Sequence, residues 1–228
     1  MSVLEKTVCA DCFEEMATMP DDSVYCTITD FPYGDCSGYN EGGLRIINRD
    51  SADKDADGTE FDFVRATKEI CRISKGSAFI FCGLIQVSDV LRVMRECGMN
   101  MTRIIAWEKP NVSPMNGQYG FLSTIEVAVF GRKSGAYWGG HCEHCVLVHK
   151  TEPLDWHPTA KPIPLLKKLI TLMCPEGETV FDCCAGSFGT AVAAHELVRG
   201  YYCIEKNPKF YEKAMDYYKE RLGQQLLF

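Results

Sequence analysis

Four consecutive residues, Asp30-Phe31-Pro32-Tyr33, combine a carboxylate, a stiff turn and an aromatic ring. They follow a β-prone run over residues 24–29, and ligands of open α/β sheets bind at the carboxyl ends of strands. Pro32 fixes its own backbone and holds Phe31 extended. The Asp30 carboxylate and the Phe31 carbonyl can accept the two N–H groups of an amine on a flat ring, on which Tyr33 can stack. Taken alone, the tetrapeptide is equally typical of a turn capped by Asp.

A glycine-rich turn in the last third of the chain is a second candidate site. A strand predicted over residues 179–183 leads into residues 185–190, Ala-Gly-Ser-Phe-Gly-Thr, which open a helix. In such a βαβ unit, glycine lets the backbone approach a ligand, and an acid about 20 residues further on binds ribose hydroxyls. Gly186 and Glu205 have that spacing. A complete G-x-G-x-x-G is missing, so a nicotinamide cofactor is not favoured, and a tight turn without a ligand stays open for this feature alone.

Alternating helices and strands must position these two sites. Apolar residues at helical spacing predict helices over residues 61–73, 86–96, 164–173 and 189–198. Short β-prone or apolar runs predict strands over residues 24–29, 78–82, 102–107, 124–130, 179–183 and 200–205. Asn207 can cap a last helix that begins at Pro208. This alternation predicts an α/β fold with a mainly parallel sheet.

Two further segments flank the candidate sites. Ala10-Asp11-Cys12, followed by residues 19–23, Met-Pro-Asp-Asp-Ser, precedes Asp30, and residues 157–162, His-Pro-Thr-Ala-Lys-Pro, precede the glycine-rich turn. In this order the four motifs resemble those of the β-class DNA amino-methyltransferases, which modify adenine N6 or cytosine N4. The catalytic motif of that family is Asp-Pro-Pro-Tyr or Ser-Pro-Pro-Tyr, and its cofactor motif resembles Asp-x-Phe-x-Gly-Ser-Gly-Thr. The resemblance covers nearly the whole chain.

The resemblance implies a single methyltransferase domain over residues 1–228, with a Rossmann-like, mainly parallel mixed sheet and a circularly permuted order in which the catalytic motif precedes the cofactor motif. Residues 34–60 and 108–157, the strand near 124–130 apart, would be variable loops, and the second range would carry the target-recognition segment. The implied catalytic residues are Asp30, Phe31, Pro32 and Tyr33. The implied cofactor-binding residues are Asp11, Thr159, Lys161, Pro162, Asp182, Gly186, Ser187, Gly189, Thr190 and Glu205.

In function, the resemblance implies methyl transfer from S-adenosylmethionine to the exocyclic amine of a base flipped out of double-stranded DNA. Glu205 would hold the ribose hydroxyls of the cofactor, and Asp11 its adenine. A first residue Asp, rather than Ser, in the catalytic motif favours adenine N6, with cytosine N4 as the alternative. Phe31 stands in place of Pro, and Phe188 resembles an extra residue between Ser187 and Gly189. These departures keep open a catalytically weak or non-catalytic nucleic-acid-binding descendant of the family.

A third function class, an RNA or small-molecule methyltransferase, also stays open, because a fold does not fix a substrate. The family often dimerises, but no interface is legible in this sequence, and neither is a paired restriction endonuclease. The formal net charge of -7 argues against nucleic-acid binding, although a net charge says little about local basic patches.

Composition predicts an ordinary globular protein. The chain has 228 residues, 46% hydrophobic and 24% charged, which suits one domain with a sizeable core. Its 13 cysteines are an odd number and many lie in apolar runs, as reduced thiols do in a reducing compartment. No apolar run approaches the ~20 residues that span a bilayer, and the first residues do not resemble a signal peptide. We expect a cytoplasmic protein, and the resemblance implies a prokaryotic or phage-encoded one.

Two clusters contain the residue types that ligate metals, but neither has the pattern of a metal site. Residues 53–58, Asp-Lys-Asp-Ala-Asp-Gly, begin like an EF-hand loop, but its twelfth position is Val64 rather than a bidentate Glu. Residues 141–145, His-Cys-Glu-His-Cys, are too closely spaced to wrap one tetrahedral ion. We expect no metal, and interpret the first cluster as an exposed acidic loop and the second as a surface or DNA-facing loop.

Overall fold

The computed structural model describes residues 3–32, 61–112 and 121–225. Its strands and helices are, in chain order, β1 Glu5–Cys9, α1 Cys12–Thr18, β2 Val24–Asp30, α2 Phe63–Ile73, β3 Ser74–Phe81, α3 Val87–Glu96, β4 Met101–Glu108, β5 Ile125–Arg132, β6 Val146–Val148, α4 Ile163–Met173, β7 Thr179–Asp182, α5 Gly189–Glu196, β8 Gly200–Glu205 and α6 Pro208–Gln225. Tyr33 and the predicted loop over residues 34–60 lie outside the described residues, as do residues 113–120.

The eight strands form one sheet in the order β1-β8-β7-β2-β3-β5-β4-β6. All paired neighbours are parallel except those that involve β5, which is antiparallel to both β3 and β4. The predicted α/β fold with a mainly parallel sheet is therefore confirmed.

The chain leaves the sheet in opposite directions at two neighbouring strands. From β7 it crosses through α5 to β8 on one side, and from β2 it crosses through α2 to β3 on the other. β7 and β2 pair with each other, with Cys26 opposite Val180 and Thr27 opposite Phe181. Such a switch point opens a crevice at the carboxyl ends of the two strands, where ligands of open α/β sheets bind.

Helices cover both faces of this sheet and bury it in two apolar clusters. On one face α4 inserts Leu165, Leu169 and Ile170, and on the other α2 inserts Ala66 and Ile70. The strands between these layers are buried on both sides, so they appear in the sequence as continuous apolar runs rather than alternating ones.

The sequence pattern left out two strands and shortened a third. β1 and β6 lie at the two edges of the sheet and were not predicted. β3 begins at Ser74, four residues before the predicted strand. The prediction missed these first residues because they are mostly polar or glycine. There the buried hydroxyls of Ser74 and Thr27 satisfy each other at 2.7 Å.

Two further observations concern the cysteines and the length of the apolar helices. Every cysteine that the structure describes is a free thiol. Within the described ranges, no helix is both long enough and apolar enough to cross a bilayer.

Candidate active site

Acidic side chains meet at the carboxyl edge of the sheet, which is formed by the C-terminal ends of four adjacent parallel strands. Asp30 ends β2, Asp182 ends β7 and Glu205 ends β8. Asp11 follows β1, whose last residue pairs with Glu205. The catalytic and cofactor residues predicted from separate parts of the chain are therefore brought to the same edge.

Asp30 belongs to a chain of buried charges that crosses this edge. Its carboxylate pairs with Lys161, whose amine also lies 3.2 Å from Glu126. Lys109 contacts Glu126 in turn, at 3.2 Å. Burial alone would lower the pKa of Lys161, but Asp30 and Glu126 raise it above its usual value, so the lysine stays charged. For Glu126, Lys161 and Lys109 outweigh burial and lower the pKa.

The second oxygen of Asp30 has a different environment. Among the residues that the structure describes, no group donates a hydrogen bond to Asp30 Oδ1, although this atom is buried. A buried acceptor without a partner costs free energy, so it favours any incoming N–H donor. Asp30 thus has one oxygen neutralised by Lys161 and one available to a ligand.

The rest of the catalytic loop is held from the side of the protein core. The ring of Phe31 is buried and packs on the Phe61 ring, with 5.1 Å between the ring centres. The backbone N–H of Phe31 donates to the carbonyl of Phe81 at 3.0 Å. The buried amide of Gln86 donates to the Pro32 carbonyl at 3.0 Å. Phe31 therefore anchors the loop through its side chain.

Asp182 braces the glycine-rich turn. Its two carboxylate oxygens accept hydrogen bonds from Thr29 at 2.8 Å, Thr190 at 2.6 Å and the Cys184 N–H at 3.1 Å. Burial raises the pKa of Asp182 to about 6, against the opposing effect of these donors. With its oxygens occupied in this way, Asp182 shapes the turn and ties it to β2.

Glu205 keeps acceptor capacity for a ligand. One of its oxygens accepts from the Gly186 N–H at 3.0 Å and the other from the Asn207 N–H at 2.7 Å. Because each carboxylate oxygen can accept two hydrogen bonds, both still have room for a hydroxyl. Burial raises the pKa of Glu205 to about 7, partly offset by the two backbone donors.

The first glycine of the turn is required by both conformation and space. Gly186 has a φ of +52°, a region that side chains rarely adopt, and an added Cβ would lie 2.7 Å from Nε2 of His157. His157 opens the 157–162 segment, and its ring also packs on Phe210 at 5.5 Å. The turn and the 157–162 segment therefore fit against each other through a contact that only glycine permits.

Phe188 adopts the backbone conformation of a glycine. Its φ of 58° and ψ of 27° are left-handed, and it directly precedes α5. Its ring is fully buried and meets Tyr211 edge-on at 5.4 Å. Because a left-handed backbone is typical of glycine, we interpret Phe188 as a replacement for a glycine of the motif rather than as an inserted residue. Its ring fills the core and not the crevice.

The remaining predicted residues lie around the same edge. Asp11 caps α1 by accepting from the Phe13 N–H at 2.8 Å, and it pairs with Lys206 at 3.1 Å. Pro162 caps α4. A cleft of about 240 Å³ lies between the 157–162 segment and the turn, lined in part by Ala160, Lys161, Ser187 and Gly189. Thr159 is half-buried beside Ala160.

Three residues at this edge were not predicted as site residues: Gln86, Glu126 and His157. His157 opens the 157–162 segment that carries the resemblance, so that motif offered a signal for it. Gln86 had none. In the described part of the chain, no group of three or more His, Cys, Asp and Glu side chains is arranged to hold a metal ion.

Comparison with known families decides what this arrangement belongs to. The family model of N6/N4 methyltransferases, described as DNA methylase, matches residues 24–216. The chain belongs to this DNA methylase family. The match spans the catalytic loop, the 157–162 segment and the glycine-rich turn.

Known relatives and solved structures agree with this family. The Type II methyltransferase M2.MboI of Moraxella bovis is 23% identical over 235 residues, which cover 92% of this chain and 86% of that protein. The crystal structure of the M1.HpyAVI–SAM complex is similar with a TM-score of 0.69 and 21% identity, over 96% of this chain and 100% of that one. The cytosine-N4-specific PvuII DNA methyltransferase is similar with a TM-score of 0.68 and 14% identity, over 98% and 94%. The expected Rossmann-like methyltransferase fold is confirmed.

Proposed function

We propose that this DNA methylase transfers a methyl group from S-adenosylmethionine to the exocyclic amine of a base flipped out of double-stranded DNA, with adenine N6 as the target. The observation that carries the proposal is Asp30 Oδ1, a buried acceptor without a described partner at the switch point of the sheet. An amino group on a base supplies the N–H donor that this oxygen lacks.

Asp30 and Phe31 act on the target nitrogen by hydrogen bonding. Asp30 Oδ1 would accept a hydrogen bond from one amino N–H and the carbonyl of Phe31 one from the other, which draws the nitrogen lone pair out of conjugation. As the new N–C bond forms, the bond between the methyl group and the cofactor sulfur would break, and the methylated nitrogen would then lose one proton to solvent. Lys161 pairs with Asp30 and keeps its carboxylate oriented, so little reorganisation is needed at the moment of transfer. Tyr33, outside the described residues, is proposed to stack on the base.

The cofactor edge fits S-adenosylmethionine, which supplies an electrophilic methyl group when bound. Glu205 has acceptor capacity for two ribose hydroxyls, and Gly186 permits close approach of the backbone. We assign the adenine end to the neighbourhood of Asp11, and the methionine end to residues 159–162 with Ser187, Gly189 and Thr190. The SAM complex among the similar structures supports this cofactor.

Adenine is proposed over cytosine because the catalytic motif begins with Asp30. Base flipping is required because an amino group inside the duplex is paired and stacked. The proposed setting is the cytoplasm of a bacterium or of a phage-infected cell, where unmodified DNA is accessible.

The test is methyl transfer from S-[methyl-³H]adenosylmethionine to unmethylated bacterial DNA, followed by nucleoside analysis and sequencing of the modified sites. We expect N6-methyladenine, transfer lost by at least a thousandfold in Asp30→Ala, and cofactor affinity changed less than threefold. Asp21→Ala is the matched control, because its exposed carboxylate lies at the far end of β2. N4-methylcytosine would correct the base, transfer to RNA alone would correct the substrate class, and near-normal transfer by Asp30→Ala would overturn the assignment of this loop.

A further inference from the structure

Two large apolar side chains protrude next to the proposed target-base site. Leu84 is 80% exposed and Ile85 is 62% exposed. They are adjacent in the turn that connects β3 to α3, at the same sheet edge as Asp30. Contiguous exposed apolar surface can mark a binding site.

The turn that carries them is fixed to the catalytic loop. Gln86 is 2% exposed, and its side chain accepts from the Gly83 N–H at 2.9 Å and donates to the Pro32 carbonyl at 3.0 Å. Its own N–H closes the turn onto the Gly83 carbonyl at 2.9 Å. The position of Leu84 and Ile85 is therefore set relative to Asp30 by a buried amide.

We propose that Leu84 and Ile85 form an apolar wedge that packs against the DNA base stack beside the flipped target. This inference rests on the proposed function and names the group that stabilises the opened duplex. The occupant is duplex DNA, because the pair is continuous with the loop that receives the base.

Physical reasons favour an apolar wedge at this place. Extrusion of a base exposes the faces of its stacked neighbours and costs free energy. Proteins that distort duplexes offset such costs by inserting Leu, Ile, Phe or Met between base steps. Because the turn is held by Gln86, the wedge needs little ordering on binding, and its apolar surface leaves water only when the duplex is opened.

The experiment compares Leu84→Ser/Ile85→Ser with the wild-type protein on two oligonucleotide duplexes that carry the mapped modification sequence. In one duplex the target base is paired, and in the other it faces an abasic site, so that little energy is needed to extrude it. We expect kcat/KM of the double variant to fall at least tenfold on the paired duplex and less than threefold on the pre-opened one. The unfolding midpoint should stay unchanged, since both side chains are exposed.

Met101→Ser/Ile104→Ser is the matched control, because these side chains are 43% and 50% exposed on β4, away from the carboxyl edge. It should behave as wild type on both duplexes. Equal loss on both duplexes, no loss on the paired duplex, or conversion of a dimer to a monomer by the Leu84/Ile85 variant would each overturn the wedge. Failure of the wild-type protein to methylate either duplex would instead overturn the proposed function.

Discussion

Lys161 and Asp30 form an ion pair although they lie 131 positions apart in the chain. The side chain of Lys161 is 9% exposed and also lies 5.0 Å from the centre of the Phe81 ring. The segment that leads into the glycine-rich turn thus reaches back to the catalytic loop. The ion pair couples the two halves of the candidate site into one electrostatic unit.

Replacing the central cation should therefore destabilise the fold. Lys161→Met would leave Asp30 and Glu126 close together without their shared partner, and breaking a buried pair in this way costs about 3–5 kcal/mol. Urea unfolding measures the change. Lys168→Met is the control, because Lys168 is 38% exposed and pairs with Glu143 at the surface, where a pair contributes about 0–1 kcal/mol. Equal losses for the two variants would show that the Lys161 network does not stabilise the fold.

Gly186→Ala should damage the cofactor turn more than backbone strain alone explains. A non-glycine residue at positive φ costs about 1–2 kcal/mol, and the new methyl group would also meet His157. Gly177→Ala is a matched control, because Gly177 has a φ of +79° and open space around its Cβ position. We expect Gly186→Ala to lose more unfolding free energy than Gly177→Ala, and to weaken S-adenosylmethionine binding by calorimetry at least tenfold.

Truncating His157 separates the effect of backbone strain at Gly186 from the effect of its contact with His157. In a His157→Ala background, Gly186→Ala should cost no more than Gly177→Ala, since the contact is gone. A Gly186→Ala penalty that is just as large without His157 as with it would show that the contact with His157 contributes nothing.

The site could be predicted from the sequence where its residues form local motifs. Asp30, Gly186 and Glu205 are recognisable because each follows or ends a strand, and parallel strands bring their ends together. The partner of Asp30 could not be predicted in the same way. The position of Lys161 near the methionine end of the cofactor stays a prediction. Its amine lies between Asp30 and Glu126, and this three-way contact exists only in the packed sheet.

The fold was predictable to a similar degree. Buried central strands produce apolar runs that are visible in the sequence, whereas β6 has three residues and alternating exposure. The start of β3 was hidden by the polar Ser74, whose hydroxyl finds its partner, Thr27, only after β2 packs beside it. Tertiary hydrogen bonds of this kind leave no local pattern.

Cofactor affinity should depend on pH near neutrality through Glu205. Burial raises its pKa to about 7. The ionised carboxylate can accept hydrogen bonds from both ribose hydroxyls, whereas a protonated one has a hydroxyl group in place of one of these acceptors. We expect the Kd of S-adenosylmethionine to decrease from pH 6 to 8, by up to about tenfold per pH unit below the pKa. Calorimetry on Glu205→Gln should show weak binding without this dependence, and a wild-type Kd that is flat over this range would contradict the role.

The same raised pKa values set the sign of stability against pH. Folded Glu205 and Asp182, the latter with a pKa of about 6, hold protons that the unfolded chain releases above about pH 4. Unfolding free energy should fall as pH rises from about 4 to 7, by up to about 3 kcal/mol for each group at about 1.4 kcal/mol per pKa unit. Glu205→Gln should flatten part of that slope in urea titrations, and an unchanged slope would contradict the raised pKa.

Val198 offers a stabilising substitution away from the site. It follows α5 with a φ of 58°. The backbone N–H of the next residue, Arg199, donates to the Ala194 carbonyl at 2.9 Å, which is the hydrogen bond of a helix end that favours glycine. Val198 is 71% exposed, so Val198→Gly loses little burial while it removes strain of about 1–2 kcal/mol. We expect the thermal midpoint to rise by about 2–4 °C per kcal/mol gained. Val148→Gly is the control, because that exposed valine lies in β6 and glycine weakens strands. It should lower the midpoint, and a fall in both variants would show that Val198 is not strained.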